Sequence, residues 1–241
     1  MCLSPEVDVV AGVAISVVAV DALRHVDSRR TLPLAALPAI FAFHTFTSAF
    51  VWWGERGDIS STLGDAASIT FMFIAFILLP IYVPISILLL EPHGWRRIAL
   101  LLITGAGIAS GVDYLLGLLG GQADAVACSY YIDYTIDGRS AVSGVLYLIA
   151  TCGALLLSGS RPLFLWGLVN AVAVAGLAVW VQAGLPSLWC FWAAITSFFV
   201  AWYLRLLRRE HAAGKPWPWE PPTAAEPKPA LTPSDAGQPP G

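Results

Sequence analysis

The chain has 241 residues, 57% of them hydrophobic and 12% charged, with a formal net charge of −3 and a mean hydropathy of +0.72. A soluble domain carries about a quarter charged residues, so too little polar surface exists here to cover a water-facing globule. The basic residues do not form a patch interleaved with aromatics, which argues against nucleic-acid binding.

Seven continuous apolar runs are legible, at about residues 7–23, 32–53, 67–90, 98–119, 141–158, 163–181 and 187–205. Each is close to the roughly 20 residues that cross a bilayer as a helix. None alternates with period two, as a membrane β-barrel would require. The expected fold is an all-α bundle of seven transmembrane helices over residues 1–210, followed by a disordered, proline-rich cytoplasmic tail over 211–241.

Run one starts almost at Met1 and lacks a basic leader, so it reads as a retained helix rather than a cleaved signal. Near its end Asp21 shares a helix face with Arg24 and His25, a spacing that predicts an interfacial ion pair. Run two opens with Pro33 and Pro38 and closes with Trp52 and Trp53, at the level where indole rings meet headgroups. Pro80 and Pro84 stand inside run three and predict a kink, since each removes a backbone donor. Run four carries Gly105, Gly107, Ser110 and Gly111, residues small enough for close helix approach. The loop from Gly120 to Ser140 holds three tyrosines, which predicts an ordered cap or short strands. Residues 216–241 hold nine prolines, a composition that cannot bury a core. The two halves of the bundle show no internal repeat.

Arginine and lysine divide unevenly between the gaps. Eleven follow runs one, three, five and seven, from Arg24 to Lys228, and two, Arg56 and Arg139, occupy the opposite gaps. Cytoplasmic loops carry this excess, so the N-terminus is expected outside and the C-terminus in the cytoplasm.

Polar residues inside a membrane are costly and mark candidate sites. They are His44, Thr45 and Ser48 in run two, Asp113 and Tyr114 in run four, Asn170 in run six, and Trp189, Cys190 and Ser197 in run seven. Most fall in the outer half, which predicts an outward-facing polar cavity. His44 and Ser48 share a helix face. With Asp113 they form a weak candidate for catalytic acid–base or triad chemistry; a structural His44–Asp113 hydrogen bond is the simpler expectation. No metal motif is present and no cofactor is expected; the last helix also lacks the lysine a retinal Schiff base needs. Cys2, Cys128 and Cys190 map to the outer side, where a disulfide can persist.

The opening Met1-Cys2-Leu3-Ser4, the stretch from Leu34 through His44 to Trp53, and Ser187-Leu188-Trp189-Cys190-Phe191-Trp192-Ala193-Ala194 resemble an actinobacterial-type, multi-pass membrane family of unknown function, over about residues 1–207. The family pattern has Gln at the position of Thr45 and Glu at that of Ser48, and this chain departs from both. The resemblance implies a bacterial plasma-membrane location and no particular reaction.

The functional expectation is binding, sensing or permeation of a small molecule or ion, with the lipid bilayer and a small apolar or lipid ligand as partners. One alternative is an intramembrane enzyme acting on a lipid or isoprenoid through His44 and Asp113. The other is a scaffold whose proline-rich tail recruits a partner.

Overall fold

The computed structural model describes residues 4–128, 131–136, 140–180 and 184–220. They form seven helical rods: α1 (Pro5–Arg24), α2 (Leu32–Arg56), α3 (Ser61–Leu90), α4 (Trp95–Leu119), α5 (Ala141–Leu157), α6 (Arg161–Trp180) and α7 (Leu185–Ala212). Between α4 and α5 lies an antiparallel hairpin, β1 (Ala123–Ala127) and β2 (Ile132–Ile136), with Ala125 opposite Tyr134.

Five rods, α2, α3, α4, α6 and α7, are long and apolar enough to cross a membrane. The two others expected from the runs fall short by that measure. Helix α5 has only the Ala141–Leu157 stretch, and α1 carries Glu6, Asp8, Asp21 and Arg24 within its 20 residues.

The rods pack in chain order, and α7 returns to close against α1 and α2. Helix α2 is central: 67% of its apolar stretch is buried, against 28% for α4 and for α6. The outer faces of α1, α4 and α6 expose aliphatic side chains such as Val17, Leu102, Leu116 and Val172. Contiguous apolar surface of this kind needs an apolar partner.

Close approach rests on glycine. A Cβ on Gly12 would lie 2.8 Å from Phe46, Gly54 and Gly64 face each other across α2 and α3, and a Cβ on Gly167 would lie 2.7 Å from Leu155. The tightest contact joins α3 to α4, where a Cβ on Gly107 would fall 1.9 Å from the Pro80 carbonyl oxygen. Pro84 has no N–H to give that carbonyl, so Gly107 covers an acceptor its own helix leaves open. The strain expected at the prolines appears one turn earlier, as a wide π-helical turn at Phe73–Leu78. Helix α5 has a second such turn at Ile149–Gly153.

Every rod end identified by its partners alternates. At one end Glu6 pairs with Arg56 at 3.8 Å, and the Ala127 amide donates to Glu55 at 3.3 Å. At the other, Arg205 reaches Asp21 at 2.5 Å, Arg208 reaches Asp27 at 3.2 Å, and the Gly159 amide donates to buried Glu91 at 3.0 Å. Of the partners expected for Asp21 on its own helix, His25 lies 3.8 Å away, and Arg205 adds an interhelical pair. The first end is called the hairpin end here, and the second the arginine end.

The hairpin is ordered, as its tyrosines predict. Ile132 and Tyr134 point into the bundle and are buried, while Asp133 and Thr135 alternate outward. In the turn, Cys128 lies beside Tyr131 and, with Asp133, pushes its phenol above the ordinary value.

The segment after Glu210 differs from expectation at its start. Helix α7 runs to Ala212, and Trp217 and Trp219 pack against the main core. Trp217 stacks on His211 at 4.0 Å, and Arg30 lies 5.8 Å from the Trp219 ring. The remaining tail, 221–241, lies outside the described residues, as do Cys2 and Arg139.

The glycine contacts yield a stability test. Gly107→Val should overpack the α3–α4 crossing and cost about 1–3 kcal/mol, read as a lower thermal midpoint in detergent. Gly105→Ala, with nothing within 4 Å of its added Cβ, should leave the midpoint unchanged or raise it.

Candidate functional site

Two neighbouring regions at the hairpin end hold the costly polar groups. The first is a ladder on α2. His44, Ser48 and Trp52 recur every four residues and so lie on one face; all are buried. Asp8 of α1, 1% exposed, hydrogen-bonds the Ser48 side chain. The His44 ring stacks on Phe71 at 4.0 Å, and Phe71 stacks on Tyr134 at 4.0 Å, so three rings run from the middle of α2 to the hairpin. Among the described residues, neither His44 nitrogen, nor Trp52 Nε1, nor Asp8 Oδ2 has a hydrogen-bond partner.

The second region is a cavity of about 330 Å³ between α3, α4, α5, α6 and α7. Its walls are largely apolar, with the rings of Phe76, Tyr114, Tyr147 and Trp189 and the thiol of Cys190 facing it. Tyr114 stacks on Phe76 at 4.9 Å. A smaller void of about 40 Å³ lies deeper, bordered by Thr151, Cys152 and Asn170. Tyr147 and Trp189 line both spaces, and the Tyr147 hydroxyl hydrogen-bonds the Trp189 side chain. Cys190 joins the two regions, since it also packs with Trp52, Phe71 and Tyr134. A wider groove of about 560 Å³ between α1 and α7 is walled mainly by aliphatic residues and brings no polar groups together.

Of the residues singled out in the sequence, the structure gathers Tyr114, Trp189 and Cys190 around the cavity, with Asn170 below. It places His44 and Ser48 in the adjoining ladder. Thr45 donates back to the Phe41 carbonyl at 2.8 Å and Asn170 to Trp166 at 2.7 Å, so both satisfy their own helices. Ser197 donates to Ala194 at 2.6 Å, at the bend that divides α7.

The His44–Asp113 pair, expected either as a structural bond or as an acid–base couple, is not formed. Asp113 accepts from Ser143 of α5 at 2.5 Å, and Ser110 donates to the Ser143 carbonyl at 2.9 Å. The reason is packing order: α2 sits mainly on α1 and α3, whereas α4 sits on α3 and α5. The same separation leaves no His44–Ser48–Asp113 triad. Cys128 and Cys190 carry thiols and are not joined to each other; a bridge to Cys2 lies outside the described residues.

Sequence reasoning passed over Asp8, Tyr147 and Ser143. Asp8 lies inside the first apolar run, and that position is the signal that marks it as a candidate for burial. Tyr147 and Ser143 sit in an otherwise unremarkable helix and gave no spacing signal. Among the described residues, no three His, Cys, Asp or Glu side chains converge as metal ligands.

Removing the Ser143 hydroxyl takes one donor from the half-buried Asp113 carboxylate. Ser143→Ala should cost about 1.5–3 kcal/mol, the range for hydrogen bonds to charged groups, seen as a lower unfolding midpoint. Ser143→Thr should recover most of it.

Neither a curated protein nor a solved structure matches the chain. A family of unknown function, DUF6629, matches residues 1–215. With nearly the whole bundle covered, the chain belongs to the DUF6629 family.

Proposed function

We propose that this is a seven-span protein of a bacterial plasma membrane that binds a small apolar or amphipathic molecule in the cavity beneath the hairpin. The arginine end faces the cytoplasm and the hairpin faces outward, in keeping with the partition of basic residues. Helix α1 crosses with its acidic residues paired: Asp8 with Ser48, and Asp21 with Arg205.

The observation that carries the binding role is the cavity itself. Its volume of about 330 Å³ falls in the range of ligand pockets. A few hydroxyl, indole and thiol groups break its apolar lining, the pattern that orients a mostly apolar ligand. An ion would exchange its hydration shell for apolar walls there, so the lining favours a hydrocarbon-bearing ligand over the ion kept open by the sequence. Val145 and Leu148 both line the cavity and are exposed on the outer face of α5, which gives a side entrance from the lipid. The acid–base enzyme reading loses its geometry, because His44 and Asp113 belong to different packing layers.

The test is fluorescence quenching. The purified protein in lipid nanodiscs is titrated with a brominated straight-chain alcohol, and the Trp189 contribution is taken as the difference from Trp189→Phe. Quenching should be saturable. Gly144→Leu should abolish it, because a side chain at Gly144 meets only the Tyr114 hydroxyl, 3.9 Å from its Cβ, and grows into the cavity. Equal, non-saturating quenching in both proteins would mean simple partition into lipid and would overturn the binding role. Reporter fusions that place the hairpin and Lys215 on one side of the membrane would overturn the topology.

A further inference from the structure

We infer that the Tyr147–Trp189 pair is a floor that sets the length of the hydrocarbon chain the cavity admits, and that the ligand is a single-chain lipid or isoprenoid alcohol. This rests on the binding role proposed above and deepens it.

Three observations converge. First, the cavity of about 330 Å³ and the void of about 40 Å³ are separate spaces whose shared walls are the Tyr147 and Trp189 rings. Second, these two side chains come from different helices, α5 and α7, so the partition is built from both of them. Third, the lower void is mostly apolar. Thr151 donates to the Tyr147 carbonyl at 2.9 Å and Asn170 to the Trp166 carbonyl, and Leu37, Phe41, Val83 and Leu155 supply much of the remaining wall. The Trp166 indole N–H also borders the void and has no hydrogen-bond partner among the described residues. A chain entering past Tyr114 with its hydroxyl toward the hairpin end would end against the phenol and indole. Beyond them lies a mostly apolar space that further methylenes could use.

The position of Tyr147 fits a movable floor. It stands two residues before the π-helical segment Ile149–Gly153, and wide turns of this kind recur at functional sites. Helix α7 begins at Leu185 with Pro186, so Trp189 lies in its first turns, close to the hairpin end.

The experiment measures competition by straight-chain alcohols, from octanol to octadecanol, against the brominated probe in nanodiscs. Referred to the free aqueous concentration of alcohol, each methylene buried against protein should raise affinity about fourfold. In the wild type this gain should stop at an intermediate length. In Tyr147→Ala it should continue for several further methylenes. Adding Ala193→Leu, which fills the lower void, should restore the original cut-off. If Tyr147→Ala does not fold, Trp189→Leu removes the other half of the floor and should show the same extension, with the probe read by displacement of a tritiated alcohol. Binding with an unchanged cut-off in these variants overturns the floor and leaves the binding role standing. No saturable binding of any alcohol by the wild type overturns the binding role, and the floor with it.

Discussion

A backbone carbonyl buried among packed helices must find a donor or be covered. Pro84 breaks that condition at Pro80, and Gly107 of the next helix repairs it by lying against the exposed oxygen. This contact draws α4 onto α3 as closely as backbones allow. Comparable contacts at Gly12, at Gly54 with Gly64, and at Gly167 draw in the other rods. Where small residues stop and rings begin, the helices must part. Ala75, Phe76, Tyr114 and Tyr147 occupy that transition, and the cavity lies there. The cavity is thus a by-product of tight packing one turn deeper.

The hairpin completes the arrangement from above. Its two inward residues close the gap that helices of unequal length leave between α2, α3, α4 and α7. Tyr134 rests on Phe71, and Phe71 on His44, so a loop outside the bundle is mechanically continuous with a buried imidazole. Stacked rings of this kind contribute about 0.5–1.5 kcal/mol each beyond their buried area. That contribution opposes the desolvation of His44, whose nitrogens gain nothing from the surrounding protein.

Much of this was written in the chain. The apolar runs match the rods closely because continuous hydropathy and a fixed rise per residue leave little freedom. Partner choice was not legible. Asp113 and His44 lie in separate helices, and nothing in their spacing says that Ser143 faces one while Phe71 covers the other. Asp8 was not legible as a site residue because nothing in the first run says that a serine on the next helix meets it. Trp217 and Trp219 were hidden by the prolines around them. A Trp-Pro-Trp stretch in a solvated tail has the same composition as one held against a core, and only the neighbouring His211 and Arg30 rings and charges distinguish the two.

Strand β2 carries one more consequence. Its side chains alternate strictly, with Ile132 and Tyr134 inward and Asp133 and Thr135 outward. A slip of β2 by a single residue against its packing surface would reverse that phase. Asp133 would then be driven against Phe71, and the phenol of Tyr134 would swing toward water. The register of β2 is therefore constrained by parity: a slip of two residues preserves the plug, and a slip of one expels it.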